Sequence, residues 1–325
     1  MIIVTGGAGF IGSNLVAGLN SRGLDDILVV DSMGNSGKFK NLRGLEFSDY
    51  LEKGEFREAL VKGLFDKKKI EAVFHQGACS DTLNTDGRYM IENNYRYSRD
   101  LLDFCLKRAV PFIYASSASV YGLGKKGFRE EAECEFPLNL YAFTKHLFDR
   151  HVRKVLPRAK SQVAGLRYFN VFGPQEAHKG RMASMVFHAF HQVRNTGKVK
   201  LFEGSDGYGP GQQRRDFVFV DDAVKVNLFF LEHPDVSGIF NCGTGKSRTF
   251  SDLAMAVINA MDRGTVEYIP FPDDLKGKYQ SFTEADLANL RSCGYTEPFE
   301  NLDVAVKRYV KLLFEKDGYL FGEDD

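Results

Sequence analysis

Tyr141 and Lys145 stand four residues apart in the stretch Tyr-Ala-Phe-Thr-Lys, a spacing that puts both on one face of a helix. A free phenol has a pKa of about 10 and is a poor base at neutrality. A nearby ammonium, joined by the positive charge of an oxidised nicotinamide, favours the phenolate and brings it toward working range. Upstream, Ser116 and Ser117 follow an apolar run, Phe112–Ala115, where a hydroxyl could bond the reacting oxygen. Taken alone, a Y-x-x-x-K pattern describes an exposed helical pair. Here it follows a glycine-rich turn and a strand-end serine in order, which points to redox chemistry on an alcohol.

The glycine-rich turn is Thr-Gly-Gly-Ala-Gly-Phe-Ile-Gly, with Gly6, Gly9 and Gly12 in G-x-x-G-x-x-G spacing. A dinucleotide needs glycine there for a tight turn, for close approach of backbone to diphosphate, and for near packing of helix on strand. The helix that follows aims its free N–H groups and positive dipole end at the diphosphate. An acid, Asp31, ends the second predicted strand at about the spacing of a ribose-binding carboxylate. From charge alone the cofactor stays open. Asp31 could hold a ribose hydroxyl, as in NAD, or Lys38 and Lys40 could neutralise the 2′-phosphate of NADP.

These groups need rigid elements to hold them. Ile2–Thr5, Ile27–Asp31, Ala72–His75, Phe112–Ala115 and Val163–Phe169 read as strands, and Phe10–Arg22, Gly87–Ala109 and Leu140–Leu156 as helices. Strands separated by helices imply right-handed crossovers and a parallel sheet. Later come strands at Asp216–Val220 and Gly238–Cys242, a helix between them at Asp221–Glu232, and helices at Ser251–Met261 and Leu302–Phe314. The segment Glu203–Gln213 reads as a flexible surface loop. The expected fold is α/β: a doubly wound parallel Rossmann sheet with a second, smaller α/β substrate domain made of returning C-terminal segments. Residues 1–171 with about 214–245 would form the dinucleotide domain, and 172–213 with 246–325 the substrate domain.

The 325 residues carry 43 Lys+Arg against 43 Asp+Glu. A net charge of zero offers no global field for polyanions, which argues against nucleic-acid binding, and low charge repulsion favours self-association. No apolar run approaches a membrane span. Five scattered cysteines, Cys79, Cys105, Cys134, Cys242 and Cys293, fit a reducing, cytoplasmic setting. Nothing has metal-ligand spacing, so no metal is expected. His75 reads as a strand-end packing residue, His191 as a partly buried helix residue, and Lys67–Lys69 as a solvated helix end. Two adjacent guanidinium groups, Arg214 and Arg215, suit a substrate diphosphate.

The segments MIIVTGGAGFIGSNL, FHQGACS, ENNYRYS, PFIYASSASVYG, PLNLYAFTKHLFD, RYFNVFGPQEAHKG, LFEGS, RRDFVFVDD and YIPFPDDLKGKYQ run in order along the chain. Together they resemble the extended short-chain dehydrogenase/reductase family and, within it, the nucleotide-sugar epimerases that act on ADP-heptose. EAHKG, LFEGS and PFPDDLKGKYQ are the narrower signals, and the likeness covers roughly residues 1 to 300. A dehydratase of this fold places Asp-Glu beside the strand-end hydroxyl, where this chain has Ala118-Ser119.

The resemblance implies one tightly bound NADP per subunit and epimerisation of ADP-heptose at C6″ by transient oxidation. It also implies a cytoplasmic role in lipopolysaccharide inner-core precursor synthesis and a homo-oligomer, a pentamer. Carried onto matching positions, the cofactor contacts are Gly6, Gly9, Phe10, Ile11, Gly12, Asp31, Ser32, Lys38, Lys53, Gln76, Gly77, Ala78, Cys79, Ser80, Asn93, Lys145, Val171 and Lys179. Tyr141 is one acid/base, with Ser117 and Lys145 as partners, and Lys179 is the other. On spacing alone, Lys179 in its His-Lys-Gly loop reads as a surface lysine. Substrate contacts fall on Asn170, Arg181, His188, Phe202, Glu203, Gly204, Ser205, Arg215 and Tyr279.

Overall fold

The first strand, β1 (Ile2–Thr5), is buried at every residue, as a β-branched run must be when helices cover both faces of a parallel sheet. After it come α1 (Phe10–Asn20), β2 (Ile27–Asp31), β3 (Asp49–Glu52), α2 (Lys53–Val61) and β4 (Ala72–His75). Next are α3 (Gly87–Ile91) and α4 (Tyr97–Arg108), joined by a π-helical turn at Glu92–Arg96. Then follow β5 (Phe112–Ser117), α5 (Leu140–Val155) and β6 (Val163–Tyr168). The computed structural model describes residues 1–34, 37–273 and 279–322; positions 274–278 of the PFPDDLKGKYQ segment lie outside the described residues.

With the strand Gly238–Cys242 these form a seven-stranded sheet, ordered from that strand through β6, β5, β4, β1 and β2 to β3. β1 runs parallel to both β2 and β4, β2 to β3, and β4 to β5. The chain therefore winds outward from β1 on one side and returns to continue on the other. The crevice beyond the carboxyl ends of β1 and β4 is the topological switch point, where open α/β sheets take their ligands. Both ends are fastened, because the Gln76 N–H donates to the Thr5 carbonyl at 2.9 Å. The core under this sheet includes Ile3, Val30, Phe56, Val73, Leu101, Phe112, Tyr114 and Phe148.

The chain divides into two compact units. The first comprises Met1–Val120, Asn139–Arg167 and Val224–Phe240; the second comprises Tyr121–Leu138, Tyr168–Ala223 and the chain from Asn241 on. Positions 121–138, 168–171, 214–223 and 241–245, grouped above with the dinucleotide domain, thus fall with the second unit. The reason is local: strands Asn170–Phe172 and Phe217–Phe219 pair with each other, and Phe172, Phe217 and Phe219 enter the second unit's core. Helices Met185–Thr196, Phe250–Met261 and Leu302–Glu315 and the parallel pair Lys198–Phe202 and Thr265–Ile269 complete that unit.

Other boundaries moved for physical reasons. β5 continues through Ser116 and Ser117, so the serines belong to the strand rather than follow it. Lys67–Lys69 sit in an exposed turn region after α2, not at a helix end.

Candidate functional site

The turn after β1 is built by close backbone contact. Gly6 has φ of +69°, and a Cβ there would lie 2.6 Å from the N and Cα of Gly77. On Gly12 a Cβ would meet the Gly6 carbonyl oxygen at 2.0 Å. Gly9 caps α1 and leaves Phe10 and Ile11 to open the helix. Asp31, at the end of β2, braces the turn: its Oδ2 accepts the Ala8 N–H at 3.0 Å. Its Oδ1 accepts the Ser32 N–H at 2.7 Å and the Lys38 ammonium at 2.9 Å.

A pocket open to solvent lies beside Gly6, Gly77, Ala78 and Cys79, and reaches Asp31, Ser32, Lys38, Lys53 and Asn93. Lys38, rather than Lys40, lines it. The Lys53 ammonium donates to the Asn93 side-chain Oδ1, and burial and the neighbouring Arg57 lower its pKa. Gln76 turns instead to Asn227, donating at 3.0 Å, and Ser80 is exposed. Glycines with no room for a Cβ, a helix amino end, two ammonium groups and a carboxylate at the end of β2 all suit a dinucleotide. Gly6→Ala therefore adds strain at positive φ and a backbone clash, worth at least ~1–3 kcal/mol. It should weaken reduced-nicotinamide binding at least ~10-fold in a fluorescence titration; unaltered affinity would place the cofactor elsewhere.

Sequence reasoning missed Asn94. Its side-chain carbonyl accepts the Cys79 N–H at 2.8 Å, and its amide donates to the Cys79 carbonyl at 2.9 Å and to Thr144 Oγ1 at 3.1 Å. The bracket ties the loop after β4 to α5. Such a contact spans residues distant in sequence and leaves no local pattern.

α5 is started by Asn139, whose side chain accepts the Ala142 N–H at 2.8 Å. Tyr141 and Lys145 follow on one face. Lys145 is buried, its ammonium donates to the Ala115 carbonyl of β5 at 2.7 Å, and burial lowers its pKa to about 8 against the opposing charge of Asp149. Tyr141 hydrogen-bonds Ser117. The expected depression of the phenol is not seen in the protein alone. Burial pushes Tyr141 up, Ser117 opposes this, and Cys79 adds to it. Helical spacing put Lys145 on the right face, but its ammonium is spent on the strand carbonyl.

Beneath this pair, Asp149 is fully buried and accepts from Tyr114 Oη and Ser116 Oγ, each at 2.9 Å, and from Arg167 Nε at 2.9 Å. His75 lies between Thr5 Oγ1 at 2.6 Å and Ser98 Oγ at 2.8 Å. Burial drops its pKa to about 3, so it stays neutral and is no base.

In the second unit, Lys179 lies on the short 3-10 segment Ala177–Met182. It is not the freely solvated lysine its spacing suggests: burial lowers its pKa, and Glu176 opposes that. Glu176 is itself buried and accepts both the N–H and the hydroxyl of Ser184 at 2.6 Å. Arg181 is exposed, and its carbonyl faces His188 Nε2 at 3.3 Å. Val171 is in the strand Asn170–Phe172, and Asn170 is exposed.

Phe202, Phe271 and Tyr279 form a ring cluster. The buried Arg215 guanidinium sits 4.7 Å from the Tyr279 ring and 5.6 Å from that of Phe250. Arg214 does not join it. Neighbours on a strand face opposite ways, and Arg214 donates to Ser247 Oγ at 3.0 Å and to its carbonyl at 2.7 Å.

The loop after Phe202 closes on itself. Gln213 Nε2 donates to the Glu203 carbonyl at 3.1 Å and to Ser205 Oγ at 3.2 Å, and a Cβ on Gly204 would lie 2.0 Å from the main-chain carbonyl oxygen of Tyr208. Among the described residues no group of three or more His, Cys, Asp or Glu could hold a metal ion.

The profile of the NAD dependent epimerase/dehydratase family matches residues 2–243. An ADP-L-glycero-D-manno-heptose-6-epimerase of Brachyspira hyodysenteriae is 52% identical over 322 residues, covering 98% of this chain and 100% of that one. The crystal structure of the Helicobacter pylori ADP-L-glycero-D-manno-heptose-6-epimerase is similar with a TM-score of 0.82 at 29% identity, over 97% of this chain and 96% of that one. A Thermus thermophilus UDP-glucose 4-epimerase in complex with NAD is similar with a TM-score of 0.77 at 26% identity, over 97% and 99%.

Proposed function

Because the chain belongs to the NAD dependent epimerase/dehydratase family, we propose that it is an NADP-dependent isomerase interconverting ADP-D-glycero-D-manno-heptose and ADP-L-glycero-D-manno-heptose at C6″. The observation that carries this reading is the 52% identity, over nearly the full length of both chains, to an enzyme bearing that name. NADP rather than NAD is favoured by Lys38 and Lys53, which line the cavity at the end of β2, and by Asp31, whose carboxylate is already engaged by Lys38 and two backbone N–H groups. The same reading carries a cytoplasmic role in lipopolysaccharide inner-core heptose precursor synthesis and a homo-oligomeric, pentameric enzyme. No helix among the described residues is long and apolar enough to cross a membrane.

A carbon that bears no acidified hydrogen cannot be inverted by proton exchange. Oxidation of its hydroxyl makes it planar, and the hydrogen can then return to either face. A bound nicotinamide supplies the acceptor and donor for that hydride. Tyr141 takes the hydroxyl proton and later returns it, Ser117 holds the oxygen, and Lys145 keeps a positive charge beneath both. Lys179 serves as the acid/base for the other orientation of the ketone; its lowered pKa suits the task.

The test uses ADP-heptose carrying deuterium at C6″. The label should stay in the product through many turnovers, as read by mass spectrometry. Exchange of the label into bulk water would exclude the scheme. Parallel incubation with UDP-galactose, expected to be unreactive, separates this function from that of a 4-epimerase.

A further inference from the structure

Tyr97 opens α4, directly after the π turn that carries Asn93. Its ring stands edge-on to His75, with centroids 5.3 Å apart, and the Arg57 guanidinium lies over it at 5.4 Å. The residue is 2% exposed, yet its hydroxyl has no hydrogen-bond partner among the described residues. Native proteins rarely leave a buried hydroxyl unsatisfied, because it loses its water without replacement. This one is not stranded among apolar groups: Tyr97 lines the same cavity as Lys38, Lys53 and Asn93. Two ammonium groups and the side chain that carries this unspent O–H donor thus line one space at the end of β2, with the hydroxyl itself covered at the wall. That combination suits an anion rich in acceptor oxygens.

We infer that Tyr97 is a cofactor-specificity residue, whose hydroxyl donates to the 2′-phosphate of NADP. The inference rests on the NADP reading above and extends it to a residue to which the sequence reading gave no role. Its signature is a pair of effects that differ between free and loaded protein. Without cofactor the hydroxyl only carries the penalty of burial, so Tyr97→Phe should unfold at the same temperature as the parent chain or higher. With cofactor a charge-assisted hydrogen bond is lost.

The experiment titrates the purified full chain, freed of retained nucleotide, with NADPH and with NADH, following nicotinamide fluorescence. The parent should bind NADPH more tightly than NADH. Tyr97→Phe should weaken NADPH by about 10- to 100-fold and leave NADH unchanged. Lys53→Met, run alongside, should also weaken NADPH. If Lys53→Met weakens NADPH but Tyr97→Phe does not, or if Tyr97→Phe weakens both cofactors equally, the Tyr97 assignment is overturned while the NADP reading stands. A parent chain that holds NADH as tightly as NADPH, with Lys53→Met indifferent, overturns both.

Discussion

Tyr141→Phe should lower turnover of ADP-heptose by ~10²–10⁴-fold, the range associated with loss of a positioned acid/base, and Lys179→Met should fall as steeply. The two variants remove one proton carrier each, while leaving the glycine turn and the cavity at the end of β2 intact. NADPH affinity should therefore hold within about 3-fold for Tyr141→Phe, which separates lost chemistry from lost binding. A rate unchanged from the parent in either variant would take that residue out of the mechanism.

The pH dependence follows from Lys145. Its ammonium, lowered to about 8 by burial, is charged below that value and neutral above it. Activity should accordingly decline as pH rises through about 8, in a profile of turnover against pH. A plateau extending past pH ~10, the ordinary lysine range, would mean that Lys145 keeps its proton better than its burial implies or that its charge is not needed.

The largest effect on stability should come from Asp149→Ala. Asp149 and Arg167 are both fully buried and joined at 2.9 Å. Removing the carboxylate leaves the guanidinium charge in the interior without its counter-ion, which costs ~3–5 kcal/mol, and also removes the acceptor shared by Tyr114 and Ser116. Asp149→Leu with Arg167→Met should recover much of that loss, since two well-packed apolar side chains often replace a buried pair at little cost. Urea unfolding of the single and double variants measures both. A loss below ~1 kcal/mol for Asp149→Ala would show that the pair does not hold α5 to β5 and β6.

What was legible in the sequence follows the range of the physics behind each feature. β1, β2 and β4 were read to their observed ends, because fully buried parallel strands are short apolar runs bounded by turn residues. β3 was not. Its Asp-Tyr-Leu-Glu is polar and partly exposed at the sheet edge, where a strand needs no apolar run. The strand Lys198–Phe202 alternates exposed and buried residues, but its partner Thr265–Ile269 lies far along the chain.

At the site, the glycines and the Tyr141–Lys145 pair were legible because their geometry is local. The Asn94 bracket and the Asp149–Arg167 pair join separate elements and have no such signal. The phenolate expectation shows the limit of spacing in another way. It selects a helix face but not the atom toward which a lysine reaches.

The π turn at Glu92–Arg96 has a consequence for how this chain can vary in length. Asn93 meets Lys53 from it, Asn94 brackets Cys79, and the Asn94 carbonyl accepts the Ser98 hydroxyl that continues to His75. An exposed loop can gain or lose a residue with little effect elsewhere. A π turn takes about one residue more per turn than α winding, so deleting one residue here would restore ordinary winding with the helices on either side still nearly in phase, and would remove only the widened turn. The damage would stay local: the flanking helices keep their faces, but the two asparagines no longer both address the groups they now hold.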